Sequence, residues 1–204
     1  MAHLTERHGL FIILAIGESV VAIGVGAAEQ PISAPLLVAA ILGVAAAVGL
    51  WWLYFDMVSL AAEQRLLEAR GQARVDLAVE AYTYGHLPIV AGIVLAALGV
   101  EGVLAHAGAR EPLGAFYALP LFGGVALYLA GQLPFKRRMH NALSVPRLLA
   151  AGVLLAALPA AVVLPPLVGL AGVVLILAAL IVVETTRYAR IRRNLRGAES
   201  PAST

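Results

Sequence analysis

The sequence predicts an all-α fold, a polytopic bundle of six transmembrane helices with both termini on the cytoplasmic side. The first observation is composition: 61% of the 204 residues are hydrophobic and only 13% are charged, and the mean hydropathy is +0.91. Soluble domains carry about 45–50% apolar and about 25% charged residues, so this chain lacks the polar side chains that coat a water-soluble globule. The other two observations are six long apolar stretches and a one-sided distribution of basic residues.

Each of the six stretches reaches the roughly 20 apolar residues that a helix needs to cross the hydrocarbon core. They run over Leu10–Ala28, Pro35–Leu60, Tyr82–Leu104, Leu113–Leu133, Val145–Leu164 and Pro166–Thr186. The last two meet at Pro165, and because their combined length is about twice the bilayer requirement, a tight hairpin is predicted there. Internal prolines at Pro88, Pro120 and Pro159 predict local kinks, since each removes a backbone hydrogen bond.

The basic residues predict the orientation. With six spans, 13 of the 14 basic residues fall on one face, and only Arg110 falls on the other. The positive-inside rule makes that face cytoplasmic, so the chain is predicted to lie in the inner (plasma) membrane. Residues 1–190 are predicted to form one six-span domain, and residues 191–204 are expected to form a flexible cytoplasmic tail, first basic and then polar. A basic stretch directly after a span meets anionic lipid headgroups more often than nucleic acid, so no nucleic acid partner is predicted.

Small residues recur at four-residue spacing in four of the predicted spans. The rows are Ala39, Gly43 and Ala47; Gly92 and Ala96; Ala126 and Ala130; and Gly152 and Ala156. Such rows let helix backbones approach closely in lipid. The preferred interpretation is packing within the bundle, and a homo-oligomer seam is the alternative.

Glu18 is the clearest ionisable residue inside a span. It lies eight residues beyond Leu10, or about 12 Å below the cytoplasmic edge. A charge in the bilayer centre costs roughly 2.5–3.5 kcal/mol, so it is rarely left facing lipid. Arg7 is about 16 Å away along the axis and cannot pair with it in a straight helix. We therefore expect the Glu18 side chain to point away from the acyl chains, into the bundle.

His86 and Asp56 are the polar residues expected near Glu18, on the cytoplasmic half of the first three spans. Glu18 and His86 would be the titrating members of a hydrated vestibule or of a proton or ion site. The alternative is interhelical hydrogen bonding with no transported species. Further predictions are a headgroup-level aromatic belt of Trp51, Trp52 and Tyr54 and a solvated far surface bearing Glu101, His106 and Glu111.

Several kinds of chemistry have no counterpart in this sequence. It contains no cysteine, and it has no phosphate-binding loop, zinc-protease motif or serine-hydrolase motif. The histidines are scattered over different spans and loops, which does not suit a metal site. We therefore predict no catalytic residues, no cofactor and no metal, and expect that the protein is not an enzyme.

Three motifs together resemble the bacterial low temperature requirement A family. They are the first-span signature with Glu6, Arg7, Gly9, Gly17 and Glu18; the stretch WWLYFD ending at Asp56; and the stretch around Tyr84, Gly85 and His86. Members are usually longer, so the chain resembles the carboxy-terminal half of a typical member, and it could pair with a missing amino-terminal half. The resemblance implies a link to growth in the cold. The leading hypothesis is a proton- or ion-coupled transporter-like protein, and the alternative is a non-transporting scaffold or cold-adaptation component.

Overall fold

The computed structural model describes the backbone of residues 2–28, 30–55, 85–140 and 144–198. It describes the side chains of residues 9–28, 30–55, 85–133 and 144–187. Within these ranges all regular secondary structure is helical, which confirms the predicted all-α class.

The described helices form six membrane-length segments. The elements are α1 (Ala2–Ala28), α2 (Ala34–Phe55), α3 (Gly85–Ala105), α4 (Gly114–Ala118), a π-helical turn (Leu119–Gly123), α5 (Gly124–His140), α6 (Val145–Val163) and α7 (Pro166–Ala198). Because α4, the π-helical turn and α5 join end to end, they make one segment. The described part of the chain thus holds six segments that are long and apolar enough to cross a membrane, as the sequence predicts.

Prolines shape this arrangement in two places. Pro120 lies in the π-helical turn, and such a turn widens the helix where the proline nitrogen cannot donate a hydrogen bond. The predicted hairpin is confirmed, because α6 ends at Val163 and α7 begins at Pro166. Helix α7 then continues to Ala198, past the boundary at residue 190 where the tail was predicted to begin.

Helix α3 occupies the middle of the bundle. It packs along α1, the π-helical turn and α5. Helix α2 packs against α1 and α7, and α6 packs between α5 and α7. The segments alternate in direction. The starts of α1, α3 and α6 therefore lie at the same end of the bundle as the ends of α2, α5 and α7. We call this end the basic end, because the sequence predicts 13 of the 14 basic residues on this side.

Close backbone contact between α3 and the fourth segment depends on glycine. A Cβ atom added to Gly92 would lie 2.5 Å from the backbone nitrogen of Tyr128 and 2.7 Å from the carbonyl oxygen of Gly124. One added to Gly99 would lie 2.5 Å from the Cα of Leu121. Real Cβ atoms do not approach backbone this closely, so only glycine fits. Here the predicted role of small residues in packing is confirmed.

The same prediction is wrong for the row on α6. Gly152 and Ala156 are exposed, and a Cβ atom at Gly152 would meet nothing within 4 Å. The buried residues of α6 lie on its other side and include Arg147, Ala151 and Leu154. Helix α6 stands at the edge of the bundle, so only one side of it has helices to pack against.

Candidate functional site

A groove runs between the parallel helices α1 and α3 on the outside of the bundle. Its volume is about 760 Å³, and most of its lining is aliphatic. The lining residues that can carry charge are Glu18 from α1 and His86 and Glu101 from α3. No arginine or lysine lines it among the residues that the structure describes. The groove therefore combines an apolar wall with a net acidic character.

Glu18 lies on the groove and not inside the bundle. Its side chain is exposed, so the expectation that it points into the core is wrong. Ser19 and Ile16, its neighbours on α1, face the core instead, which turns Glu18 outward. Among the described residues, the Glu18 carboxylate has no hydrogen-bond or ion-pair partner. A carboxyl group within a membrane-length apolar helix thus borders an open apolar groove.

His86 also lines the groove, but it is directed towards α2. It is 5% exposed, and its Nε2 atom lies 2.8 Å from the hydroxyl of Tyr54, with which it shares a hydrogen bond. The two rings meet edge to face at a centroid distance of 5.9 Å. Tyr54 is itself buried. It is therefore not part of an aromatic belt, contrary to prediction. Trp51 and Trp52 are exposed, as expected of belt residues.

The register of α1 against α3 separates Glu18 from His86. A Cβ atom at Gly26 would lie 4.0 Å from Cγ of Glu101, so these two residues share one level. Counted at 1.5 Å per residue, Glu18 lies about 12 Å from that level, and His86 lies about 22 Å from it. The three ionisable residues thus follow one another along the groove, with His86 nearest the basic end, and no hydrogen bond joins Glu18 to His86.

The remaining predicted site residues are placed as follows. A Cβ atom at Gly9 would lie 3.8 Å from Phe55 of α2, whereas one at Gly17 would meet nothing within 4 Å. Gly85 is half-buried at the start of α3. Asp56 and Tyr84 lie outside the described residues. The backbone of Glu6 and Arg7 belongs to α1, but their side chains also lie outside the described residues.

A second polar cluster, which the sequence interpretation missed, lies inside the bundle at its basic end. Arg147 of α6 is fully buried, and Glu184 of α7 is 3% exposed. The Nε and Nη2 atoms of Arg147 donate to the two carboxylate oxygens of Glu184 over 2.8 and 2.6 Å. Ser144 donates to the same carboxylate over 3.1 Å. This is a buried bidentate ion pair, which is the strong form of a charge-assisted hydrogen bond.

The same arginine reaches two further helices. Its Nη1 atom donates to the side-chain oxygen of Gln132 on α5. Its Nη2 atom also donates to the carbonyl oxygen of Leu53 on α2 over 2.9 Å, in the last described turn of that helix. Next to it, the hydroxyl of Tyr128 donates to the carbonyl oxygen of Leu50. One buried guanidinium therefore links α2, α5, α6 and α7.

A sequence signal for this cluster exists. Glu184 interrupts the apolar run of the sixth span near its end, and Arg147 stands at the start of the fifth. Because a tight hairpin connects these spans, the start of one must lie beside the end of the other. The sequence interpretation counted Arg147 only as a topology charge and did not consider Glu184 or Gln132.

One of the comparisons with known proteins identifies a family. Residues 1–182 match the family model described as the bacterial low temperature requirement A protein (LtrA). The chain is also 35% identical over 137 residues to an uncharacterised protein of Rhizobium meliloti (strain 1021). That match covers 66% of this chain and 32% of the relative, so the chain corresponds to about a third of the relative's length. No solved structure matches significantly. Since the family model covers most of the sequence, the chain belongs to the bacterial low temperature requirement A (LtrA) family.

Proposed function

We propose that this chain has a transport-related role in the membrane, coupled to protons or small ions through Glu18. The observation that carries the proposal is a carboxyl group about 12 Å along an apolar helix that borders an open groove. Charge at such depth costs roughly 2.5–3.5 kcal/mol, and an intramembrane acid is a functional-site candidate for that reason.

The order of ionisable residues along the groove supports the same proposal. His86 lies towards the basic end, Glu18 in the middle and Glu101 towards the opposite end, and all three line one continuous volume. Successive residues are about 10 to 12 Å apart along the helix axes, so an ion would pass between them through the groove and not by direct contact of side chains. The remaining wall is apolar, which strengthens the attraction between a cation and each carboxylate.

The first prediction concerns flux through Glu18. In proteoliposomes that enclose a pH-sensitive dye, the wild-type protein should dissipate an imposed pH gradient when sodium or potassium is supplied outside. Glu18→Gln keeps the size and hydrogen-bonding capacity of the side chain but removes its charge. We expect its rate to fall to that of protein-free vesicles.

Glu111→Gln is the matched control for this experiment. It makes the same chemical change at an exposed residue that does not line the groove, and its flux should equal that of the wild type. Equal rates for wild type and Glu18→Gln, or no flux with either, would remove the proposal.

The second prediction concerns orientation. We propose that the protein lies in the inner membrane with its basic end in the cytoplasm, where the tail after α7 meets anionic lipid. The support is that the sequence predicts 13 of the 14 basic residues on that side. Alkaline phosphatase fused after Glu111 should be active in the periplasm. The same enzyme fused after Thr204 should be inactive, while a fluorescent protein fused there should fluoresce. The reverse pattern would contradict the orientation.

A non-transporting scaffold or cold-adaptation component is the second candidate. The buried Arg147–Glu184 pair and the backbone contact at Gly92 favour it, because both serve tight packing and neither borders the groove. On this alternative, Glu18→Gln should preserve growth in the cold, whereas a bulky residue at Gly92 should abolish it. Loss of growth with Glu18→Gln, at normal protein abundance, would favour transport.

A further inference from the structure

We propose that the groove between α1 and α3 binds a membrane-partitioned organic monocation, a compound with one delocalised or substituted ammonium- or phosphonium-type charge on a hydrophobic body. This inference rests on the proposed function, because it names the class of substrate that the Glu18 groove would take. The inference goes beyond the proposed function because it predicts a binding site that can be tested without measuring flux.

The shape and lining of the groove set the first requirement for an occupant. Its volume of about 760 Å³ lies within the roughly 300–1,000 Å³ typical of small-molecule sites. Leu14, Val94 and Leu98 form part of the wall and are exposed on the outside of the bundle. The groove therefore opens sideways towards the acyl chains along two helices that span the membrane. A ligand that enters from this side must already be soluble in the bilayer.

Charge sets the second requirement. Glu18 of α1 and Glu101 of α3 both line the groove. Their levels are about 12 Å apart along the helix axes. Among the described lining residues the only other ionisable group is His86, whose Nε2 atom bonds to Tyr54 of α2. No described ionisable residue of α2 lines the groove. An anion would meet two carboxyl groups and no arginine or lysine here, whereas a cation meets complementary charge.

These two requirements select an amphipathic cation over the other occupants. A neutral acyl chain would satisfy the apolar wall but would leave the Glu18 carboxyl without a partner in hydrocarbon, which is costly. A small inorganic cation would satisfy the charge but not the apolar wall. A hydrophobic monocation satisfies both. When it binds, its single positive charge is compensated by the carboxylate of Glu18, while its hydrophobic body contacts the aliphatic lining of the groove.

The test uses the full chain in lipid nanodiscs and radiolabelled tetraphenylphosphonium, measured by equilibrium dialysis. We expect saturable binding to the wild type. Glu18→Gln should weaken binding by about tenfold or more, equivalent to about 1.4 kcal/mol. Glu111→Gln should bind as the wild type does. Neutral triphenylphosphine oxide should not compete.

A second pair of variants tests the location. Ala22 lines the groove, and Ala22→Phe should fill it and abolish binding without removing a charge. Ala156 is exposed on α6 and does not line the groove, so Ala156→Phe should leave binding unchanged. Should Ala22→Phe fail to fold, the comparison of Glu18→Gln with Glu111→Gln still tests whether binding depends on the charge in the groove.

Three outcomes would overturn the inference. Equal binding to wild type and Glu18→Gln, or equal competition by the neutral compound, would identify the groove as an acyl-chain site. Absence of binding together with disulfide-linked dimers of Leu14→Cys would identify a second copy as the occupant. Absence of binding together with Glu18-dependent proton flux would leave the proposed function intact and remove only this substrate class. Conversely, Glu18-dependent binding without flux would support the site and remove the transport role.

Discussion

Replacing Arg147 with leucine should lower the free energy of unfolding by about 3–5 kcal/mol, because the buried carboxylate of Glu184 loses the two charged hydrogen bonds that the guanidinium supplies. It also removes the donor that Arg147 supplies to the carbonyl oxygen of Leu53. Four helices meet at this guanidinium, so the substitution should weaken their packing across the basic end. Reversible unfolding in mixed micelles, or thermal unfolding followed by size-exclusion chromatography, would measure it.

Two variants make this prediction specific to the buried pair. The double substitution Arg147→Leu with Glu184→Leu should regain much of the lost stability, because a pair of apolar residues carries no desolvation penalty. Arg187→Leu makes the same change at an exposed arginine one turn further along α7, and it should stay within about 0.5 kcal/mol of the wild type. If Arg147→Leu behaved like Arg187→Leu, the buried ion pair would not stabilise the bundle.

Replacing Gly92 with alanine should be nearly as damaging, although it adds a single methyl group. The new Cβ atom would lie 2.5 Å from a backbone nitrogen and 2.7 Å from a backbone oxygen, and backbone cannot rotate aside as a flexible side chain does. Helix α3 must therefore move away from the fourth segment. Overpacking of this kind costs about 1–3 kcal/mol and sometimes more, and unfolding measurements in the same micelles would report it.

Gly152→Ala is the matched control, since a Cβ atom there meets nothing within 4 Å. It should be neutral or stabilising by up to about 1 kcal/mol, because alanine is the better helix former. A loss of stability with Gly152→Ala equal to that with Gly92→Ala would show that helix propensity, and not close packing, governs both positions.

These stability predictions separate the fold from the proposed function. The Arg147 cluster links α2, α5, α6 and α7, whereas all the residues that line the groove belong to α1 and α3. Glu18→Gln should consequently leave the free energy of unfolding close to that of the wild type. Its effect on flux or on cation binding can then be attributed to the carboxyl group itself.

The sequence by itself determined the membrane class, the number and order of the spans, and the hairpin at Pro165. The physical reason is that the bilayer imposes one requirement on every residue of a span, namely low polarity over a fixed length. That requirement acts along the chain and can be evaluated without knowing any neighbour. The selection of Glu18 as an unusual residue followed from the same argument.

Only the tertiary structure decided which side of each helix faces a neighbour. In lipid, apolar residues cover both the core side and the outer side of a span, so hydrophobic periodicity does not distinguish them. Glu18 was therefore expected in the core and lies on an outer groove, whereas Tyr54 was expected in a surface belt and bonds to His86. Similar rows of small residues pack at Gly92 and face outward at Gly152. Arg147 and Glu184, 37 residues apart, become a buried pair because helix rotation, which spacing along the chain leaves open, turns both inward.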